Sequence, residues 1–346
     1  MDSVLALSGV HLCHRLKDPE LEAMSWKYYA SVLLDLRHRL ARKKEGNDTE
    51  TLHLLLTALI LAQVESISGN TQGAVYHHLR ASRQFVLSML VDSGTHEIRA
   101  LRGFLRELYA YLVLVGTITL NAESEDRVIE FDPFMSSLKS LNDIKPCGEM
   151  FGCSHGLFEL MPRVSELGKQ RRLEEASGYC TSASFAFYQL LESKIRGWQV
   201  PENLEGDADW VDQLGMAATI HQHTLLIFLH TTFYGSSVES PRLRDMVDES
   251  VSVILPLWKA LYATEPMSPL VTTMIWPAMI AGSCSRRPEQ QGVIRSELSK
   301  SHYHMNITKR AIQLLEWLWE DQSDQAYGPF GLEVMMKKHN FNICMA

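Results

Sequence analysis

The densest group of titratable side chains in the sequence lies between His221 and Tyr234. Four of its residues follow steps of four, three and four, which would place them on one face of a helix: His223, Ile227, His230 and Tyr234. Two imidazoles and a phenol on an otherwise apolar face could line a pocket and exchange protons with a ligand. The alternative is a pair of hydrogen-bonded core histidines beside an interface. We take all four residues as ligand-binding candidates, and the histidines and the tyrosine as catalytic candidates if the protein is an enzyme.

Metal and cofactor chemistry is not expected from this sequence. The two histidines of the face lie two turns apart, unlike the adjacent-turn pair of a zinc-binding helix, and no carboxylate accompanies them. Of the six cysteines, the closest pair is Cys147 and Cys153, and no Cys-x-x-Cys occurs. This excludes a binuclear zinc cluster, which needs two such pairs. Dinucleotide-binding glycine loops, phosphate-binding loops and His-Glu-x-x-His are also absent, so we predict no metal and no cofactor.

Charge and hydropathy narrow the class of protein. With 41 acidic against 33 basic residues, the formal net charge is -8, which would not gather nucleic acid or an anionic membrane surface. The longest apolar stretches, 54–62 and 109–120, fall short of the roughly 20 residues that cross a bilayer. A helical pattern follows Met1 almost at once and leaves no room for a signal or transit peptide. We expect an intracellular protein that contacts neither DNA nor a membrane directly.

Apolar residues recur at intervals of three and four along most of the chain, and no alternating strand pattern occurs. The predicted fold class is all-α, with many antiparallel helices wrapped into a single irregular domain over residues 1–346 and with room for a central cavity. Asp18-Pro19 should end the first helix, and Gly69 should stop the third. Single long helices are expected at 169–196, at 210–234, where the candidate face lies, and at 288–319.

Several segments of the sequence are each common on helices, but together and in this order they form a more specific pattern. They are a small-residue helix from Ala6 to Leu12, the segment from Tyr28 to Leu40, a hairpin in which Gly69 precedes His78-Leu79-Arg80-Ala81, and Trp276-Pro277 with Ala281-Gly282 before a tryptophan helix at 316–319. In order and spacing they resemble the fungal-specific regulatory domain found downstream of the binuclear zinc cluster in fungal transcription factors.

The resemblance implies an all-α fold, often dimeric, with an interior cavity that senses small molecules, and it carries no catalytic residues. Tyr29, His78 and Trp276 lie in the matching segments and are further ligand-binding candidates. Each also suits a structural role. Tyr29 would be a core or rim aromatic, His78 would join packed helices by a hydrogen bond, and Trp276 would pack at a helix bend.

Two functions remain open at this stage. The first is a nuclear regulatory protein that binds a small apolar metabolite and a protein partner or a second copy, without its own DNA-binding module. The second is a cytoplasmic, cofactor-independent enzyme of fungal secondary metabolism, of cyclase, rearrangement or isomerase type, whose pocket holds one reactive conformer. The position of Met1, directly before the first helix, favours a standalone domain over a fragment.

Overall fold

A computed structural model describes residues 1–42, 48–89, 95–116, 129–138, 150–235, 241–300 and 305–345. Regular structure in these ranges is helical, which confirms the all-α prediction. They include an isolated parallel bridge between Gln72 and Asn342.

The first five helices form an N-terminal layer: α1 (Asp2–Leu16), α2 (Pro19–Arg42), α3 (Asp48–Ser68), α4 (Ala74–Ser88) and α5 (His96–Gly116). The later helices are α6 (His155–Phe158), α7 (Met161–Ala176), α8 (Ser182–Arg196), α9 (Ala208–Tyr234), α10 (Pro241–Tyr262), α11 (Ile275–Cys284), α12 (Pro288–Ser299), α13 (Asn306–Glu320) and α14 (Gly328–Lys338). Short 3-10 helices occupy Pro133–Ser136 and Pro269–Met274.

The predicted helix ends in the N-terminal layer are confirmed. Lys17 adopts a left-handed conformation (φ 55°) after α1, and Gly69 does so (φ 67°) after α3. A left-handed residue turns the chain out of a helix, and glycine does this without steric cost. As a result α1 packs on α2 and α3, and α3 and α4 form a hairpin against which α5 packs.

Helix α3 is a core helix with unusual hydropathy. Among the described residues it is the one helix whose length and composition would allow it to cross a membrane, with a mean hydropathy of 1.5. However, 61% of that apolar window is buried inside the protein. Leu55, Leu59 and Ala62 are fully buried, so its apolar surface is used in packing.

Helix α9 is the central element of the second half. It starts where the carboxylate of Asp207 accepts the N–H of Trp210 at 2.8 Å, which caps the helix. Helices α7, α8, α10, α11 and α14 all contact it. The 210–234 prediction is therefore confirmed, and both faces of this helix are covered.

The single helix predicted for 169–196 is wrong, because the chain breaks into α7 and α8. Gly178 has a positive φ of 74°, and the hydroxyl of Thr181 caps α8 by accepting the N–H of Ser184 at 3.1 Å. The buried carboxylate of Glu174 holds this corner by accepting from Thr181 at 2.5 Å and from Ser184 at 2.6 Å. Burial alone would raise the pKa of Glu174, but the hydrogen bonds outweigh it and lower the pKa to about 2.

The long helix predicted for 288–319 is also wrong, since α12 ends at Ser299 and α13 begins at Asn306. Met305 before α13 has an extended backbone. The start of α13 is held on the N-terminal layer, because the Asn306 side chain donates to the carbonyl of Ser68 at 2.9 Å. This contact between residues distant in sequence fixes where α13 starts.

The C-terminal segment 341–345 completes the N-terminal layer. The Asn342 N–H donates to the carbonyl of Thr71 at 2.9 Å, and the Tyr76 hydroxyl donates to the carbonyl of Ile343 at 3.1 Å. Phe341 and Cys344 are buried beside these bonds. The loop between α3 and α4 is therefore held by α13 on one side and by the C-terminal segment on the other.

Candidate functional site

The predicted face of α9 packs against α8 and α10. At about 100° per residue, His223, Ile227, His230 and Tyr234 lie opposite the face that carries His221, Leu225 and Phe228. The contacts agree with this geometry. His230 touches Tyr188 of α8, and His223 touches Ser250 of α10. The four predicted residues do share a face, and that face is packed against neighbouring helices.

His230 is enclosed by aromatic rings. It is 0% exposed, and its Nδ1 lies 3.0 Å from the hydroxyl of Tyr188. Tyr188 stacks on Phe233 with ring centroids 4.3 Å apart and meets Tyr234 edge-on. Burial lowers the pKa of His230 to about 4, so its imidazole is neutral at physiological pH. These contacts are those of a packed core histidine.

The other members of the face are also used in packing. His223 is half-buried, with Nδ1 3.4 Å from the Ser250 hydroxyl, and its pKa is lowered mainly by burial. Ile227 is fully buried. Tyr234 is partly exposed, and the guanidinium of Arg242 lies 5.7 Å from the centre of its ring.

Trp276 lies on the opposite side of α9 from this face. It is 1% exposed and packs against Phe158 and Phe228, with ring centroids 6.1 and 6.3 Å away. The gap between its ring, His221 and Leu225 is too narrow to hold a water molecule. The structure therefore does not bring Trp276 together with His230, and the gap beside Trp276 is filled.

Sequence reasoning misses one motif in this region, Gly-x-Ser-x-Gly at residues 152–156. Its serine, Ser154, precedes the short helix α6, and its Oγ lies 3.4 Å from Nδ1 of His221. A serine nucleophile of this type needs an exposed turn between a strand and a helix. Ser154 is 1% exposed, and the four residues described directly before it, 150–153, form no strand, so the motif serves packing here.

Tyr29 and His78, by contrast, do come together. The Tyr29 hydroxyl donates to the carboxylate of Glu65 on α3 and lies 2.8 Å from Nε2 of His78 on α4. Because the single phenolic proton goes to Glu65, Nε2 of His78 carries the proton donated to the phenol oxygen. Burial, with a smaller effect of His77, lowers the pKa of His78 to about 4. This network joins α2, α3 and α4.

The same network reaches the loop that follows α3. The side-chain amide of Asn70 donates to the second Glu65 oxygen at 2.5 Å, and its own oxygen accepts the N–H of Gln72 at 2.6 Å. On the other side, Trp26 meets the Tyr29 ring edge-on at 5.2 Å. Asn70 and Trp26 thus stand between the network and the space beyond it.

That space is a cavity of about 310 Å³, which we call the α1/α13 cleft. Residues of α1, α2, the 68–72 loop and the start of α13 line it, with Trp26 and Asn70 on its wall. Its charged or titratable lining residues are Cys13, His14, Glu22 and Arg310. No sequence pattern indicates this cleft, because its walls come from both ends of the chain. The only local signal is the glycine stop at Gly69.

The charged side chains of the α1/α13 cleft are spread over three helices. Glu22 is exposed on α2, whereas His14 of α1 and Arg310 of α13 are half-buried. An Nη of Arg310 donates to Gln313 at 3.0 Å, while Nε of Arg310 and Nε2 of His14 have no hydrogen-bond partner among the described residues. Burial and the charge of Lys309 lower the pKa of His14, and Glu22 opposes them.

In the part of the chain that the structure describes, no three His, Cys, Asp or Glu side chains converge on a point that could hold a metal ion. Cys147 lies outside the described residues, and Cys153 is a buried free thiol. The chemistry available at the α1/α13 cleft is therefore hydrogen bonding and charge pairing.

Comparison with known proteins gives the family. The family model of the fungal specific transcription factor domain matches residues 1–346, which is the whole chain. No curated protein and no solved structure matches the chain. The segments from Ala6 to Trp319 that resemble this domain thus lie within a match of full length. The chain belongs to the fungal specific transcription factor domain family.

Proposed function

We propose that residues 1–346 are the effector part of a transcription regulator, which senses a small molecule and acts in the nucleus through a protein partner. The observation that carries this proposal is the family match over the whole chain, which supports a regulatory role. The family match does not identify the ligand, the protein partner or the way in which the protein is brought to DNA, and these belong to the proposal.

Action without DNA contacts of its own is supported by charge and by cysteine spacing. The chain has a net charge of -8 and no Cys-x-x-Cys pair for a zinc cluster. Proteins that grip DNA neutralise phosphates with many lysines and arginines, and their affinity falls steeply with salt. We therefore assign DNA contact to the partner.

Small-molecule sensing is supported by the α1/α13 cleft. Its volume of about 310 Å³ is at the lower end of ligand pockets, which run from about 300 to 1,000 Å³. The sequence predicts an apolar metabolite. The cleft wall favours a polar one instead, because an apolar guest would offer no hydrogen bond to Nε of Arg310 or Nε2 of His14, which have no partner among the described residues.

A protein partner is supported by apolar side chains on the outside of the first two helices. Leu12 and Leu16 of α1 and Leu34 of α2 are all exposed. Leu12 and Leu16 are one turn apart and share a face of α1, and exposed apolar patches mark interaction surfaces. A second copy of the chain is one such partner, in line with the dimer that the sequence resemblance implies.

The enzyme alternative, a cofactor-independent cyclase or isomerase, has no comparable support. Its catalytic candidates His223, His230 and Tyr234 lie in helix packing, and His230 is fully buried. A substrate must reach a catalytic group to within hydrogen-bonding distance. We therefore do not propose this function.

The test is a reporter assay in fungal cells, with residues 1–346 fused through Met1 to an unrelated DNA-binding module. Transcription should change several-fold relative to the module alone, because the effector surface is brought to the promoter. The purified chain should give no gel shift with duplex DNA at low salt. Unchanged reporter output, or a salt-sensitive gel shift, would refute this function.

A further inference from the structure

Two side chains of opposite charge lie on the wall of the α1/α13 cleft. Glu22 and Arg310 both line it, and neither side chain is part of an ion pair among the described residues. A guest with only a negative charge would face Glu22, and a guest with only a positive charge would face Arg310. Complementarity thus favours a small guest that carries both charges.

The uncharged residues of the lining also favour a small guest with two charged groups. Asn70, Thr71 and Asn306 present amides and a hydroxyl, while Trp26 adds one aromatic surface. A small guest with two charged groups and a short side chain would use all of these contacts. Arg310 suits a carboxylate, because its planar guanidinium can bind both oxygens at once.

We infer that the α1/α13 cleft binds a free α-amino acid, with its carboxylate on Arg310 and its ammonium group on Glu22. This inference rests on the proposed function, in which a small molecule is sensed, and it names the class of that molecule. His14 also lines the cleft, and its imidazole can accept or donate a further hydrogen bond.

The position of the cleft also shows how occupancy would be transmitted. Its walls come from the α1–α2 pair and from α13, so a bound amino acid bridges the two ends of the fold. Asn70 on the wall donates to Glu65, which accepts the Tyr29 hydroxyl. A guest that draws the Asn70 amide toward itself weakens one bond of the network joining α2, α3 and α4.

The experiment is titration calorimetry of the purified chain with each standard L-amino acid at millimolar concentration. At least one should bind. Its N-acetyl derivative lacks the ammonium charge, its amide lacks the carboxylate, and each should bind about tenfold more weakly or worse. If no standard amino acid binds, or if both derivatives bind as tightly as the parent compound, the inference is refuted. These ligand comparisons use the unmodified chain, so a variant that fails to fold cannot obscure the result.

Two variants test which residue binds which charged group of the amino acid. Arg310→Gln and Glu22→Gln should each weaken binding by about tenfold or more, because each removes one charge-assisted contact. The matched controls are Arg15→Gln and Glu20→Gln, which change exposed residues of the same signs on α1 and α2 and should leave affinity unchanged. A folded Arg310→Gln variant that binds as well as the parent chain would overturn the assignment.

The reporter assay separates this inference from the proposed function. If the tethered chain changes transcription but the purified chain binds no amino acid, only the ligand class is wrong. If an amino acid binds but the tethered chain never alters transcription, the regulatory proposal fails while the site stands.

Discussion

Two histidines with lowered pKa values, the fully buried His230 of the α9 core and the half-buried His78 of α4, differ in what lies next to them. Burial lowers the pKa of both to about 4, and each is within 3.0 Å of a tyrosine hydroxyl. Around His230 the neighbours are aromatic rings that fill the space. From His78, a network through Tyr29 and Glu65 leads to Asn70 on the wall of a cavity. A perturbed histidine therefore points to a functional site only where space adjoins it.

The largest expected effect is loss of packing in the α9 core. Trp276→Ala should lower the free energy of unfolding by about 3–5 kcal/mol, because it removes a fully buried indole and leaves a cavity. Trp26→Ala, at the partly exposed cleft wall, should cost only about 1–2 kcal/mol. Urea unfolding of both variants measures the difference. Equal losses would mean that the cleft wall is as tightly packed as the core.

Acidification should destabilise the protein through both histidines. Their pKa values in the folded state, about 4, lie below the ordinary 6.5, so protonation favours the unfolded chain. The stabilisation is complete above pH 6.5 and is lost as pH falls toward 4, by up to about 3 kcal/mol per histidine. His230→Gln should flatten this pH dependence more than His78→Gln, because solvent reaches His78. Urea unfolding across this pH range gives both slopes, and an unchanged slope in His230→Gln would contradict the explanation.

Gly69→Ala tests the contact between the α3–α4 loop and α13. Gly69 has a φ of 67°, and a Cβ there would lie 3.0 Å from the Arg310 side chain and 3.1 Å from the Asn306 backbone. Gly178→Ala is the matched control, since its φ of 74° is similar but a Cβ there would have no atom within 4 Å. The control should lower the free energy of unfolding by about 1 kcal/mol, and Gly69→Ala should lower it by about twice that amount or more. Thermal unfolding of the two variants compares these losses of stability. Equal losses would show that the loop moves to accommodate the added Cβ.

Tyr29→Phe should cost about 1–2 kcal/mol, because it leaves the Glu65 carboxylate and Nε2 of His78 without their shared partner. Tyr188→Phe removes a hydroxyl that contacts His230 and, more distantly, the sulfur of Met246, without leaving a carboxylate unpaired, and should cost less. The comparison is made by urea unfolding. A larger loss for Tyr188→Phe would mean that the aromatic core, and not the network beside the cleft, depends more on its hydroxyl.

The smallest effect is expected for Ser154→Ala. Its hydroxyl is 3.4 Å from His221, a long hydrogen bond, so the variant should lose less than about 1 kcal/mol. Because the site is buried, neither the parent chain nor the variant should hydrolyse a nitrophenyl ester above background. Hydrolysis that disappears in the variant would show that the Gly-x-Ser-x-Gly motif is functional.

Local signals in the sequence predict local structure well. Asp207 and Gly69 act as a helix cap and a helix stop, and the spacing of His223, His230 and Tyr234 gives the correct common face. What such spacing cannot give is whether a neighbouring helix covers that face, because the covering residue, Tyr188, lies 42 residues away from His230. The common face is therefore confirmed, and its use as a pocket stays a prediction.

The failures of sequence reasoning have the same cause. A 3.6-residue period continues across Gly178, so the break between α7 and α8 is visible only through the carboxylate of Glu174 that holds the corner. The α1/α13 cleft depends on Asn306 meeting Ser68, which are 238 residues apart. No local pattern encodes that contact, and the cleft residues His14, Glu22 and Arg310 were not predicted for this reason.

The hydrogen bonds between the C-terminal segment and the α3–α4 hairpin have a consequence for synthesis of the chain. Tyr76 emerges from the ribosome long before Ile343, whose carbonyl accepts its hydroxyl. Until residues 341–345 follow, this hydroxyl lacks its contact with Ile343 and the Thr71 carbonyl lacks its contact with the Asn342 N–H. The helices that are synthesised first therefore complete their packing only after the last residues are made. A translation product that stops earlier would leave that surface exposed to chaperones.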